Sequence, residues 1–198
     1  MAKPAPPLPQ QSTPQPAPQP TPQPTPKPSA ADLYQVADAA LAARDLAAAD
    51  RALATLLAEH RDSRLVDQAL FDRARIAHQR RDWRAARQHL AALATMSSKL
   101  LAEPGHWLRC RVDVDAHDQP DARDARACLT DYRRTFPKSP HDLDALALLA
   151  RLAHATSGCA GAAMHVDELA LRYPRTTLAA GWRTRCPTKS KPSPGATP

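Results

Sequence analysis

Apolar and polar positions recur along this chain at a fixed interval. An alanine comes first, as Ala49, Ala86, Ala125 and Ala162, spaced 37 to 39 residues apart. Four residues later stand Leu53, Leu90, Leu129 and Val166; three further on come Leu56, Leu93, Tyr132 and Leu169; four beyond those come His60, Ser97, Phe136 and Tyr173. The offsets of four, three and four keep these positions on one face of an α-helix. A repeat of this length predicts helical hairpins, each needing a neighbour to cover its apolar face. The expected fold is all-α: a solenoid of about four hairpins with a C-terminal capping helix.

The first hairpin is expected from Ser29 to about His60, with Ser29 or Asp32 capping its first helix and a break at Arg44-Asp45. Leu33, Val36, Ala37, Ala40 and Leu41 form its first apolar face. The second begins near Asp62-Ser63, turns at Arg80-Arg81-Asp82 and returns through Trp83 and Ala86. The third opens on Leu101 to Gly105, where Pro104-Gly105 reads as a helix stop. It continues with Trp107, Leu108 and Val112, loops at His117 to Pro120, and returns through Cys128 and Tyr132. In the fourth, Ser139 is expected as the cap with Pro140 in the first helical position, and Ser157-Gly158 as the turn. A last helix, about Thr176 to Arg185, carries Leu178, Ala179 and Trp182.

Composition sets the flanks. Residues 1–30 are mostly Pro, Gln, Thr and Ala, which predicts a disordered or polyproline linker; 187–198 have the same character, leaving 31–186 as the repeat domain. Aromatic residues make up only 4% of the chain, so Ala and Leu must build the core. Such a core buries little area per residue, and any cross-link gains weight. The formal charge is +7, but Lys3, Lys27, Lys189 and Lys191 lie in the flanks, leaving +3 on the rest. That mild excess predicts no nucleic-acid binding. No apolar stretch is long enough to span a bilayer. Met1-Ala2-Lys3-Pro4 has no apolar core of the signal-peptide kind, which keeps the cytoplasm as an alternative location.

The four cysteines, Cys110, Cys128, Cys159 and Cys186, show no C-x-x-C spacing. Cys110 and Cys128 flank the His117 to Pro120 loop at nearly equal distances, so they stand level in an antiparallel pair. Cys159 opens the last return helix and Cys186 closes the capping helix, again roughly level. The expected bridges are Cys110–Cys128 and Cys159–Cys186, which imply an oxidising compartment. The alternative is four buried thiols in a reducing one.

No catalytic constellation emerges. Glycine occurs five times, never in a phosphate-binding loop, and there is no nucleophile elbow. The eight histidines include no pair at i, i+3 or i+4. Asp113, Asp115, Asp118 and Asp121 lack the Gly and terminal Glu of a calcium loop and read as a polar turn. The expectation is a non-enzyme without cofactor or metal.

Two junctions repeat one phrase: Phe136-Pro137-Lys138-Ser139 and Tyr173-Pro174-Arg175-Thr176, with His60-Arg61-Asp62-Ser63 as a degenerate copy. An aromatic residue, Pro, any residue and a hydroxyl resembles the inter-repeat junction of tetratricopeptide-like proteins of bacterial cell envelopes. Among these are the Tol-Pal coordinating protein, the outer-membrane assembly lipoprotein and repeat regions of anti-sigma regulators. The small and large residues between Ala69 and Leu90 resemble the same pattern. The resemblance covers about residues 32–186. It implies a periplasmic or envelope scaffold or adaptor that binds a protein or peptide. The alternative it implies is a sensor region of an anti-sigma or transport-associated protein. In such stacks the first helix of each hairpin lines the inner curve, which here places Arg73, Arg75, Gln79, Arg109, Arg111 and Arg151 on a groove suited to an acidic or carboxylate-terminated peptide. The alternative role for these arginines is amphipathic cover over apolar seams.

Overall fold

The computed structural model describes residues 27–96, 98–116 and 123–186. The linker expected at 1–30 falls almost wholly outside these residues, as do the 187–198 tail, Ser97 and the His117 to Pro120 loop. The described residues form helices α1 Ala30–Ala42, α2 Leu46–Glu59, α3 Val66–Gln79, α4 Trp83–Ala94, α5 Lys99–Asp115, α6 Arg123–Thr135, α7 Asp142–Arg172 and α8 Thr177–Arg185, with no strand among them. The substantial helix contacts join sequence neighbours, from α1–α2 through to α7–α8, with α3–α5 the one such pair that skips a helix.

The first three sets of repeated positions are the core, and His60, Phe136 and Tyr173 of the fourth are half-buried. Ala49, Ala86, Ala125 and Ala162 are fully excluded from solvent; Leu53, Leu129, Leu56, Tyr132 and Leu169 are equally inaccessible, and Leu90, Val166 and Leu93 nearly so. They sit in four successive apolar clusters along the chain: Leu33 with Leu53 and Ile76, Leu70 with Leu90 and Val112, Cys110 with Leu129 and Leu149, and Leu146 with Val166 and Trp182.

The turns inside the first two hairpins share a device. Arg44 (φ 60°) and Arg81 (φ 59°) are left-handed, and each is followed by an Asp that caps the return helix. Asp45 accepts from the amides of Ala47 and Ala48, and Asp82 from that of Ala85. Asp45 N–H donates back to Ala40 O at 2.8 Å and Asp82 N–H to Ala77 O at 2.9 Å, closing the preceding helix. In the fourth hairpin the break falls inside α7, where Ser157 (φ −138°, ψ 18°) and Gly158 (φ 60°, ψ −155°) leave helical geometry. The Gly158 conformation is open to glycine alone. Ser29 and Asp32 form a reciprocal capping box on α1, and Thr176 caps α8 through the Ala179 amide.

Three expectations fail. Val36, expected on the first apolar face, is 57% exposed, because at this edge of α1 only Leu33 and Ala37 turn fully inward. Pro104-Gly105 does not stop the third hairpin's first helix; α5 runs through both. Its first turn is anchored because Leu101 is buried, and Gly105 sits where an added Cβ would lie 3.1 Å from Leu93 Cδ2. The glycine therefore lets α5 approach α4, and packing overrides its propensity. Ser139 is not the cap of α7 either: that position is His141, without a side-chain cap. The Ser139 hydroxyl is engaged elsewhere, donating to Glu103 Oε1 at 2.7 Å and accepting from the His141 amide at 2.9 Å.

Polar staples hold the helices together, some within a hairpin and some between successive ones. All three tyrosines in the chain donate to a carboxylate: Tyr34 to Asp72 at 2.7 Å, Tyr173 to Asp142 at 2.6 Å, and Tyr132 to Glu103. Asp142, at 2% exposure, also accepts from Arg133 Nε at 2.8 Å and pairs with Arg172 at 2.8 Å. Arg133 forks onto Glu168 at 2.6 and 3.2 Å. Burial alone would raise the Asp142 carboxyl, but the hydrogen bonds from Arg133 and Tyr173 and the two guanidinium charges outweigh it and hold it below its ordinary value. Arg133 lowers Glu168 in the same way.

A carboxyl depressed in the folded state contributes stability that is present above its unfolded value and is lost as pH falls through the folded one. Thermal unfolding followed from pH 7 downward should therefore show stability falling below about pH 4, the ordinary carboxylate range. Asp142→Asn should lose stability at neutral pH, by about 3 kcal/mol for a broken buried pair, and should show a shallower acid dependence than the parent.

Candidate functional site

Two kinds of site can be built from these helices: a surface on α3, α4, α5 and α6, and the two cysteine pairs.

The arginines expected on a groove divide into two groups. Arg73 is held by Asp50 at 2.7 Å, Arg75 by Asp72 at 3.0 Å, and Arg111 by Asp115 at 3.4 Å. Arg111 also lies over the Trp107 ring, 5.8 Å from its centroid, and its buried Nε has no partner. These three serve the protein's own carboxylates. Arg109 and Arg151 are exposed and form no ion pair among the described residues. Gln79 is exposed at the end of α3, beside a cleft that also touches His78, Trp83 and Asp115. Asp115 is further bound by His78 Nε2 at 2.8 Å. Asp113 accepts from Arg87 at 3.0 Å. Two members of the aspartate cluster are thus tied to arginine and histidine, and Asp118 and Asp121 lie outside the described residues.

Arg109 borders a cleft of about 280 Å³ between α4, α5 and the end of α6. Its floor is apolar, from Leu90, Leu93, Leu101 and Phe136, and its rim carries Met96, His106 and Arg109. A shallower hollow continues past Arg109 and His106 toward Arg87, Cys128 and Asp131. His106 is fixed by edge contacts with Tyr132 and Phe136, at 5.6 and 5.8 Å between centroids. Burial holds its imidazole below the ordinary histidine value against the raising effect of Asp131. It is therefore neutral at pH 7 and a lone-pair donor. Leu100, at 83% exposure, stands on the first turn of α5 without apolar cover.

The cysteines meet in pairs. Cys110 and Cys128 lie with Cα atoms 5.3 Å apart and form one disulfide between α5 and α6; Cys159 and Cys186 lie 5.2 Å apart and form a second between α7 and the end of α8. No cysteine is left free. Cys110 is fully buried, whereas Cys159 is exposed just after the Gly158 break.

Each pair has a histidine beside it. A ring nitrogen of His106 and the sulphurs of Cys110 and Cys128 lie within 4.8 Å of one another, and so do those of His154, Cys159 and Cys186. Searching for histidine pairs misses both groups. The readable signal was mixed: His106 and Cys110 share the i, i+4 spacing on α5, and Cys128 and Asp131 share i, i+3 on α6. The short polar cluster of Glu103, Tyr132 and Ser139 was not anticipated either, because its members come from α5, α6 and the junction after α6.

Among the described residues no helix is long and apolar enough to cross a membrane. No protein-family model matches the chain, and no curated protein sequence matches it.

Bridges closing loops of 18 and 27 residues each constrain the unfolded chain. Replacing Cys110 and Cys128 together by Ser should cost about 3 kcal/mol in the chain-entropy account. Equilibrium denaturation under non-reducing conditions reads this directly, and the Cys159→Ser, Cys186→Ser pair should lose a similar amount.

Proposed function

We propose that the chain is a non-catalytic protein-interaction scaffold, a tetratricopeptide-like solenoid whose hairpins each cover the next and present a continuous surface. The observation that carries this reading is the restriction of helix packing to near neighbours in sequence. A globular core collapses distant elements on one another; a stack does not. The repeated left-handed turns and the buried alanines support the same reading. The Pro- and Gln-rich segment serves it as a spacer. An envelope location is favoured by two bridges in so small a core, since stable disulfides belong to oxidising compartments.

The face we assign to the partner is the cleft of α4, α5 and α6. Its apolar floor takes side chains of a short segment, and Arg109 takes a carboxylate from that segment, its aspartate, glutamate or C-terminus. Arg73, Arg75 and Arg111 are already neutralised by Asp50, Asp72 and Asp115, which makes them poor anchors.

Fluorescence anisotropy with a panel of acidic peptides tests this assignment. Salt-sensitive binding is expected, weakened about tenfold, or about 1.4 kcal/mol, by Arg109→Ala. Arg75→Ala should change it much less. Absence of salt-sensitive binding across the panel, or equal loss from both substitutions, contradicts the assigned face.

A further inference from the structure

Disulfide and imidazole occur together twice in this chain, and the pairing is most complete between α5 and α6. His106 and Cys110 project from successive turns of α5, and Cys128 meets them from α6. While the bridge is closed, neither sulphur has a charge to offer. Once it is opened, two thiols and an imidazole remain within one small shell, a nitrogen–sulphur donor set of the kind zinc prefers. Bond lengths of about 2.0–2.3 Å place tetrahedral donors roughly 3.5 Å apart. The donor atoms here already lie within 4.8 Å.

We propose that His106, Cys110 and Cys128 form a zinc(II) site when the Cys110–Cys128 bridge is reduced. The reduction needs a dithiol. Its two thiols transfer two electrons and two protons to the sulphur–sulphur bond and close to a disulfide of their own, leaving two cysteine thiols. Zinc then binds two thiolates and the imidazole lone pair, and two protons are released to water. Asp131 stands beside the imidazole: its Oδ2 is 3.7 Å from His106 Nε2, and a carboxylate beside a metal-bound imidazole orients the ring and raises its basicity.

Two features preorganise the site independently of the bridge. The helices around it remain packed through Val114, Ala125, Leu129, Tyr132 and Leu149, so opening the bond does not remove what holds α5 against α6. The His106 ring is already oriented by Tyr132 and Phe136. The second group, His154 with Cys159 and Cys186, has an exposed cysteine beside the Gly158 break. It is the weaker of the two. This inference does not depend on the partner surface proposed above, because its readout is metal binding and not peptide binding.

Cobalt(II) is the probe. The full chain carrying Cys159→Ser and Cys186→Ser is reduced with a non-chelating phosphine and titrated with cobalt, with helix content followed by circular dichroism. The expected result is a thiolate-to-cobalt charge-transfer band with intense visible bands of a tetrahedral site, saturating at one cobalt per chain and displaced by zinc. The unreduced protein should show none. Asp131→Asn should weaken binding by about tenfold or more, as loss of a carboxylate neighbour does elsewhere, and His106→Ala should weaken it further. A reduced, helical protein with no charge-transfer band overturns the proposal. So does a band that His106→Ala leaves unchanged, or helix lost on reduction and not restored by metal.

Discussion

Four alanines set the distance at which this protein's helices pass one another. Ala49, Ala86, Ala125 and Ala162 open the return arm of each hairpin, and none has any exposed surface. A larger side chain there would push the arms apart and uncover the leucines that follow one and two turns later. Small residues at a close crossing bring backbones together, but they remove little apolar area from water. The fold therefore has close approach without a deep core. That explains why polar contacts and covalent bonds recur at its seams.

Those polar contacts follow a rule. Each tyrosine hydroxyl reaches a carboxylate, Tyr34 on the next hairpin and Tyr132 and Tyr173 within their own, and the densest cluster ties α6 to both halves of α7 through Arg133, Asp142, Glu168, Arg172 and Tyr173. Taking Asp142 almost fully out of water is unfavourable by itself, and it is tolerated because two guanidinium groups and a phenol satisfy it. Such a network discriminates sharply between one register of the hairpins and its alternatives, since a shifted register would leave a buried charge without partners. The disulfides act at the same seams, one between α5 and α6 and the other between the last hairpin and the helix that closes it.

Much of this was readable in the residues. The apolar repeat located the buried positions because a helical period maps directly onto one face. The turns at Arg44, Arg81 and Gly158 were visible as interruptions of that period, and the heights of the cysteines about the turns gave their partners. Local rules failed where tertiary contacts compete with them. Pro104-Gly105 carries a stop signal, yet the glycine sits tightly against Leu93 of α4 and the helix continues through it. Ser139 has the chemistry of a cap, yet Glu103 takes its hydroxyl from another helix. The arginine face was readable as charge but not as availability: only the fold shows that Asp50, Asp72 and Asp115 already hold Arg73, Arg75 and Arg111. The histidines beside the two bridges were only half legible, since Cys110 shares α5 with His106 but Cys128 comes from α6, and Cys186 reaches His154 from the end of α8.

The account depends on close helix crossing at the repeated alanines, and equilibrium unfolding of single alanine-to-leucine variants tests that most directly. Ala49→Leu, Ala86→Leu, Ala125→Leu and Ala162→Leu should each lose about 1–3 kcal/mol through overpacking. Ala47→Leu and Ala127→Leu, at exposed positions on α2 and α6, should stay within about 0.5 kcal/mol of the parent. If leucine at the four repeated positions is accepted as readily as at the two exposed ones, small residues are not what brings these helices together.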